Sequence, residues 1–160
     1  LKQFMSILES SWSAIQHYCA YQDRCHSEVR SKLIALQCYG DDLEEAISML
    51  IEQNFLNEER FARSYVKGKF NSLKWGKNKI IQSLKFKQVS TYCINKGISE
   101  IDTSDYFNVI LKLITLKWES LEKEPNDWHR SQKVTRYMLQ KGFEQSLIQE
   151  AILIVKEENN

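Results

Sequence analysis

Hydrophobic positions recur along this chain in three copies of one pattern. Six apolar columns stay in register when the sequence is offset by 51 and then 54 residues: Val29, Ile80 and Val134; Leu33, Leu84 and Met138; Cys38, Val89 and Phe143; Leu43, Ile94 and Ile148; Ile47, Ile98 and Ile152; Leu50, Ile101 and Val155. The first two columns are four apart, the next follows after five, and the last three are spaced four and three. Steps of three and four mark one face of a helix and the longer step interrupts it, so each copy predicts helix, short turn, helix.

Punctuation fills in the elements between. Asp41 is placed to cap the second helix of the first hairpin with Glu44 reaching back, and Ser90 to do the same in the second hairpin. Gly142 falls at the turn of the third hairpin, where a left-handed residue ends a helix cheaply; Gln37 and Gln88 stand there in the first two and explain those turns less well. Asn57 caps a longer helix from Glu58 to about Ser72, which Trp75-Gly76 breaks. Thr103 or Ser104 starts another from Asp105 to about Glu122, closed by the sole proline, Pro125. The expected fold is all-α: three tandem three-helix repeats, each a helical hairpin plus a connecting helix. The units are an N-terminal segment 1–25 and repeats over 26–74, 75–124 and 125–160, stacked into one continuous, elongated array because ~50 residues alone bury too little. Residues 1–17 offer only an amphipathic set, Phe4, Ile7, Leu8 and Trp12.

At 100° per residue the helix from Glu58 places Phe61, Ala62, Tyr65, Val66, Phe70 and Leu73 on one half and a narrow stripe of Arg60, Arg63, Lys67, Asn71 and Lys74 on the other. Lys69 lies within the apolar half and must snorkel or pair. A helix over 77–87 buries Ile80, Ile81 and Leu84 and turns Lys79, Gln82 and Phe86 outward. An outward Phe86 among lysines suits base stacking or a partner's pocket; the alternative is that the helix ends early and Phe86 folds back into the core.

Composition agrees with a packed helical protein: 42% hydrophobic residues, 11% aromatics, one proline and five glycines in 160 residues. The cysteines Cys19, Cys25, Cys38 and Cys93 form no C-x-x-C pair, and neither a signal peptide nor an apolar run near twenty residues is present, so a reduced, cytoplasmic, membrane-free setting is expected. The first residue is Leu1 rather than methionine, as expected of a sequence that starts inside a longer chain or after processing.

Charge changes the picture more. A formal net charge of +1 hides strong polarisation: residues 41–59 hold seven acids and no base, while residues 60–99 hold ten bases and no acid. A face evolved only for solubility would accept Glu as readily as Lys, so a polyanionic partner is expected. The candidate contacts are Arg60, Arg63, Lys67, Lys74, Lys77, Lys79, Lys85 and Lys87, with a second basic surface from Arg130, Lys133, Arg136 and Lys141 on the last repeat. Lysine is a point charge suited to phosphates rather than to bidentate base readout, so any DNA contact is weakly sequence-selective. Neutralising about five phosphates gives a log–log salt slope near −4 to −5.

Catalytic signatures are missing. His17, His26 and His129 are scattered, and no nucleophile elbow, phosphate-binding glycine loop or cofactor motif occurs. Asp41, Asp42, Glu44 and Glu45 open a helix, where the macrodipole favours carboxylates, and His17, Cys19, Cys25 and His26 fit no common zinc spacing. A non-enzymatic protein without cofactor or metal is expected.

Several segments look familiar. Leu56-Asn57-Glu58-Glu59-Arg60-Phe61-Ala62 resembles the L-[DN]-[DE]-x-R-[FY]-A signature of the RecX family of bacterial regulatory proteins, in its usual place after the first hairpin. Ser27 to Leu33 is similar to that family's S-x-x-E-[LV]-R-x-K-L opening, and Gly76, Ile80 and Leu84 to its G-x-x-x-I-x-x-x-L second unit. The likeness runs from about Tyr18 to Ile152; Gln37 and Gln88 stand where glycine is frequent, and 102–128 matches little. The resemblance implies three tandem three-helix units and a monomer that binds the RecA recombinase filament on single-stranded DNA. It further implies inhibition of RecA's ATPase and strand exchange, and so modulation of homologous recombination, DNA repair and the SOS response. Within the signature, Phe61 reads as a core residue, and Arg60 as either a salt-bridge partner or a ligand contact. Two other readings stay open: a stand-alone, non-sequence-specific DNA binder, and an adaptor whose basic face meets acidic protein only.

Overall fold

The computed structural model describes the backbone of residues 2–158 and side chains from residue 9 onward. Within these residues there are nine helices and no strand: α1 (Lys2–Tyr21), α2 (His26–Ala35), α3 (Gly40–Glu52), α4 (Glu58–Leu73), α5 (Lys77–Phe86), α6 (Thr91–Ile98), α7 (Thr103–Glu119), α8 (Asp127–Lys141) and α9 (Gln145–Glu158). No helix among the described residues is long and apolar enough to cross a membrane. The side chains of Phe4, Ile7 and Leu8 lie outside the described residues; Trp12 packs partly buried against the first core.

The apolar columns are the hydrophobic core. Seventeen of their eighteen members are buried, Ile98 alone being half-exposed. The three hairpin turns share one device: Gln37, Gln88 and Gly142 all take a left-handed φ (61°, 61° and 92°). The next residue's N–H reaches back five residues, from Cys38 to the Leu33 carbonyl, Val89 to Leu84 and Phe143 to Met138. This is the Schellman closure, whose two apolar positions seal against each other. The second and third sequence columns are those positions, so the repeat register follows from how each helix is stopped.

Helix starts differ in detail from expectation. Asn57 and Ser90 cap α4 and α6 as predicted, accepting from the amides of Arg60 and Cys93. Asp41 does not cap α3, which begins at left-handed Gly40 behind Tyr39, so Asp41 and Asp42 fall inside its first turn; Glu44 instead pairs with Arg30. The cap of α7 is Asp102, accepting from the Asp105 amide, one or two residues ahead of the predicted cap. That helix stops at Glu119, leaving Pro125 in the link before Asn126 caps α8. Leu73, the last residue of α4, is exposed rather than buried.

Contacts divide the chain into two compact units, Leu1–Tyr65 with Leu84–Gly97, and Val66–Ser83 with Ile98–Asn160. The first is built on Ile15, Cys19, Val29, Leu33, Leu43, Ile47, Leu50 and Leu56. In the second, α7 packs against α8 and α9 around Ile110, Ile114, Trp118, Val134, Met138 and Ile148. An aromatic run, Phe70 to Tyr106 to Phe143, has ring centroids 5.7 and 5.5 Å apart.

Candidate functional site

The predicted basic residues fall into two groups, those neutralised by carboxylates and those that are not. Arg60 donates through Nε to Asp23 Oδ1 (2.7 Å), through Nη1 to Asn54 Oδ1 (3.0 Å) and through Nη2 to the carbonyls of Asn54 and Phe55. Asp23 also accepts from Ser64, so this half-exposed guanidinium ties the start of α4 to the α1–α2 link and the end of α3. Of the two roles open to Arg60, the salt bridge is the one formed. Arg63 pairs with Glu59 one turn back. Lys87 binds Glu28 at 2.7 Å while Ser27 donates to the Lys87 carbonyl. Burial opposes the charge on Glu28, but bonds from Lys87 and the Cys25 N–H outweigh it and hold the carboxyl below its ordinary range; the same bond to Glu28 holds Lys87 above its own.

On the last repeat, Lys133 pairs with Glu124. The Arg130 guanidinium lies over the Trp118 ring, donates to its carbonyl (2.8 Å) and stands 3.8 Å from Asp127. Arg136 is exposed beside an open hollow lined by Gln132, Thr135 and Leu139. Lys67 is exposed on the wall of a cavity of about 310 Å³ that also holds Glu100, Asp102 and Asp105, so its field is offset there. Lys85 is exposed beside Phe86, which points to solvent rather than folding back.

The remaining lysines converge on the turn between α4 and α5, inside the second unit. Lys74 takes a left-handed φ of 53° to end α4, and the Trp75 N–H returns to the Lys69 carbonyl. Gly76 then lies against the α8–α9 turn: its N–H donates to the Lys141 carbonyl (2.8 Å) and the Asn78 N–H to the Gly142 carbonyl (3.0 Å). The Tyr106 hydroxyl accepts from the Lys77 N–H (2.9 Å) and donates to Glu144 (2.6 Å). Burial, reinforced by Glu144, pushes that hydroxyl well above the ordinary tyrosine range, so it stays a donor. The opening amides of α5 thus find partners supplied by residues 29 to 65 positions away, which no local pattern reveals.

Around this frame the Lys69 and Lys79 amines sit 4.9 and 4.5 Å from the Trp75 ring centroid, the outcome for the lysine expected to snorkel or pair. Lys77 stands over Tyr106 at 4.5 Å. Lys79 also donates to the Gln140 carbonyl and Lys141 to that of Leu73, both at 3.4 Å. These carbonyls end helices, where the backbone dipole favours cations. Among the described residues Lys74, Lys77, Lys79 and Lys141 form no ion pair, and Glu144 is taken by Tyr106. Sequence reasoning placed Lys141 on a separate surface and read Trp75 only as a helix break; the structure joins them.

The chain matches the family models described as "RecX, second three-helix domain" over residues 57–98 and "RecX, third three-helix domain" over 104–152, which take in α4–α6 and most of α7–α9. A protein of Clostridium perfringens named Regulatory protein RecX is 35% identical over 122 residues, 76% of this chain and 57% of that one, so the chain spans little more than half of that relative. The like-named protein of Haemophilus ducreyi is 30% identical over 124 residues and covered over 77% of its length. In fold the chain resembles the crystal structure of RecX from Lactobacillus salivarius, with a TM-score of 0.86 at 22% identity over 94% of this chain and 97% of that one. With two of its three-helix domains matched and a relative at this identity covered over three quarters of its length, the chain belongs to the RecX family.

Proposed function

We propose that this protein binds the RecA recombinase filament on single-stranded DNA and restrains its ATPase and strand exchange, and that the lysines around Trp75 make the principal polyanion contact. Family membership supports the regulatory role. The observation that carries the contact is the uncompensated charge of Lys74, Lys77, Lys79 and Lys141, the last three held on carbonyls and rings rather than on carboxylates. An ammonium resting on a neutral partner keeps most of its field and leaves that partner at small cost, whereas one already bound to a carboxylate must break an ion pair first. Arg60, Arg63, Lys87, Arg130 and Lys133, each already on a carboxylate, contribute less to binding than the sequence alone suggests.

Titration of the purified protein into RecA's DNA-dependent ATPase tests this. Activity falls with the wild type, and the triple change Lys74→Glu, Lys79→Glu and Lys141→Glu removes the inhibition while far-ultraviolet circular dichroism stays unchanged. Reversal of the exposed Lys112 and Lys123 serves as the charge-reversal control. Wild-type protein without effect on the ATPase refutes the role; full inhibition by the triple variant refutes the site. Binding to single-stranded DNA with and without RecA separates filament recognition from stand-alone DNA binding.

A further inference from the structure

We propose that Phe86 is a docking anchor, by which the turn between α5 and α6 inserts an aromatic ring into an apolar, carboxylate-rimmed pocket of a protein partner. Resting on the function proposed above, that partner is a recombinase protomer of the filament.

Phe86 is 90% exposed, although it ends a helix whose Ile80 and Leu84 are fully buried. The fold does not ask for it. The Schellman closure at Gln88 is sealed by Leu84 and Val89, and the equivalent positions in the other hairpins, at the same offsets of 51 and 54 residues, hold Ala35 and Gln140. Tyr92 is 63% exposed where the others carry Asp41 and Ser146. Lys96, with its amine 5.4 Å from the Tyr92 ring centroid, replaces Glu45 and Glu150. Three hairpins built to one plan therefore present the same face as Ala-Asp-Glu, Phe-Tyr-Lys and Gln-Ser-Glu, and only the middle one is aromatic and basic. The other two are an internal control showing that these columns carry no structural demand. Exposed aromatics flanked by cations are the composition of interface anchors.

A protein pocket fits better than a nucleobase. Two carboxylates are fixed at this turn, Glu28 on Lys87 and Glu58 on the Ser90 N–H, so Lys87 is already cancelled and a phosphate chain would run past fixed negative charge. Lys85, exposed beside the ring, suits a carboxylate on a pocket's rim.

The test compares wild type, Phe86→Ala and Phe86→Leu for affinity to RecA filaments assembled on poly(dT), and for affinity to poly(dT) alone. Phe86→Ala weakens filament binding by about thirtyfold or more, the range of an interface anchor. Phe86→Leu keeps most of the affinity, binding to bare poly(dT) is unchanged and thermal unfolding is unaltered because the ring packs on nothing. Phe86→Ala that binds filaments like wild type overturns the anchor while leaving the proposed function intact. An equal loss on bare poly(dT) overturns it in favour of base stacking, and wild-type protein that ignores filaments overturns both readings.

Discussion

Gly76 and Gly142 lie backbone against backbone: a Cβ built on Gly76 would stand 2.2 Å from both the carbonyl carbon and the carbonyl oxygen of Gly142. Gly142 is pressed in turn by Lys79, whose Cβ would lie 2.2 Å from a Cβ added there. Two glycines 66 positions apart thus hold the α4–α5 turn on the α8–α9 turn, and the lysines around Trp75 owe their positions to that contact.

Gly76→Ala accordingly destabilises the protein. Backbone cannot rotate away as a side chain can, so the two turns must separate, and the bonds from Gly76 and Asn78 to the α8–α9 turn stretch with them. Overpacking of this kind costs about 1–3 kcal/mol or more, readable by urea unfolding. Polyanion binding by the folded fraction falls as well, because Lys79 and Lys141 lose their common frame. A variant with wild-type stability and binding would show that the contact is slack.

Gln37→Gly and Gln88→Gly go the other way. Both glutamines hold a left-handed φ of 61°, which costs a residue with a Cβ about 1–2 kcal/mol, while added freedom of the unfolded chain returns roughly half of that. Each change should stabilise by about 0.5–1 kcal/mol, and the two should add, since the turns are separate. Gly142→Gln, at the equivalent turn, should destabilise, because left-handed strain is joined there by the collision with Lys79.

The sequence disclosed the hairpins and withheld the site, for one physical reason. Helical period and the Schellman pair are local, so Leu33, Cys38, Leu84, Val89, Met138 and Phe143 declared themselves within a few residues of one another. Glutamine has no bias toward left-handed backbone, which left two of three turns unexplained until the chain was seen closing there. Charge was legible as a total but not as a balance. Whether Arg60 offers its guanidinium to a partner depends on Asp23, 37 positions away, and whether Lys79 does depends on Gln140, 61 positions away. Long-range pairing decides which cations are available, and a face count along one helix cannot supply it.

Arg60→Ala separates stability from binding. The side chain makes four hydrogen bonds to Asp23, Asn54 and Phe55, and its removal strands Asp23 with Ser64 as the remaining donor. With both ionic partners partly open to water, the loss is about 1–3 kcal/mol rather than the full cost of a buried pair. Polyanion affinity per folded molecule should stay within twofold of wild type. A large loss of affinity with unchanged stability would return Arg60 to the binding surface.

The Glu28–Lys87 pair gives a pH dependence whose sign is set by both partners. Glu28 titrates below its unfolded value in the folded chain, so its share of stability is present above the ordinary glutamate range and fades as pH falls through the depressed folded value. Lys87 titrates above its unfolded value, so its share is present below the ordinary lysine range and fades as pH rises through the raised one. Between these limits Glu28→Gln and Lys87→Met should both lie below wild type in urea midpoint. In acid the gap between wild type and Glu28→Gln should close, because protonated Glu28 can no longer hold the ammonium. Midpoints measured from pH 7 down to pH 3 check this: a constant gap would place the effect of Glu28 in packing or in its bond to the Cys25 amide, not in its charge.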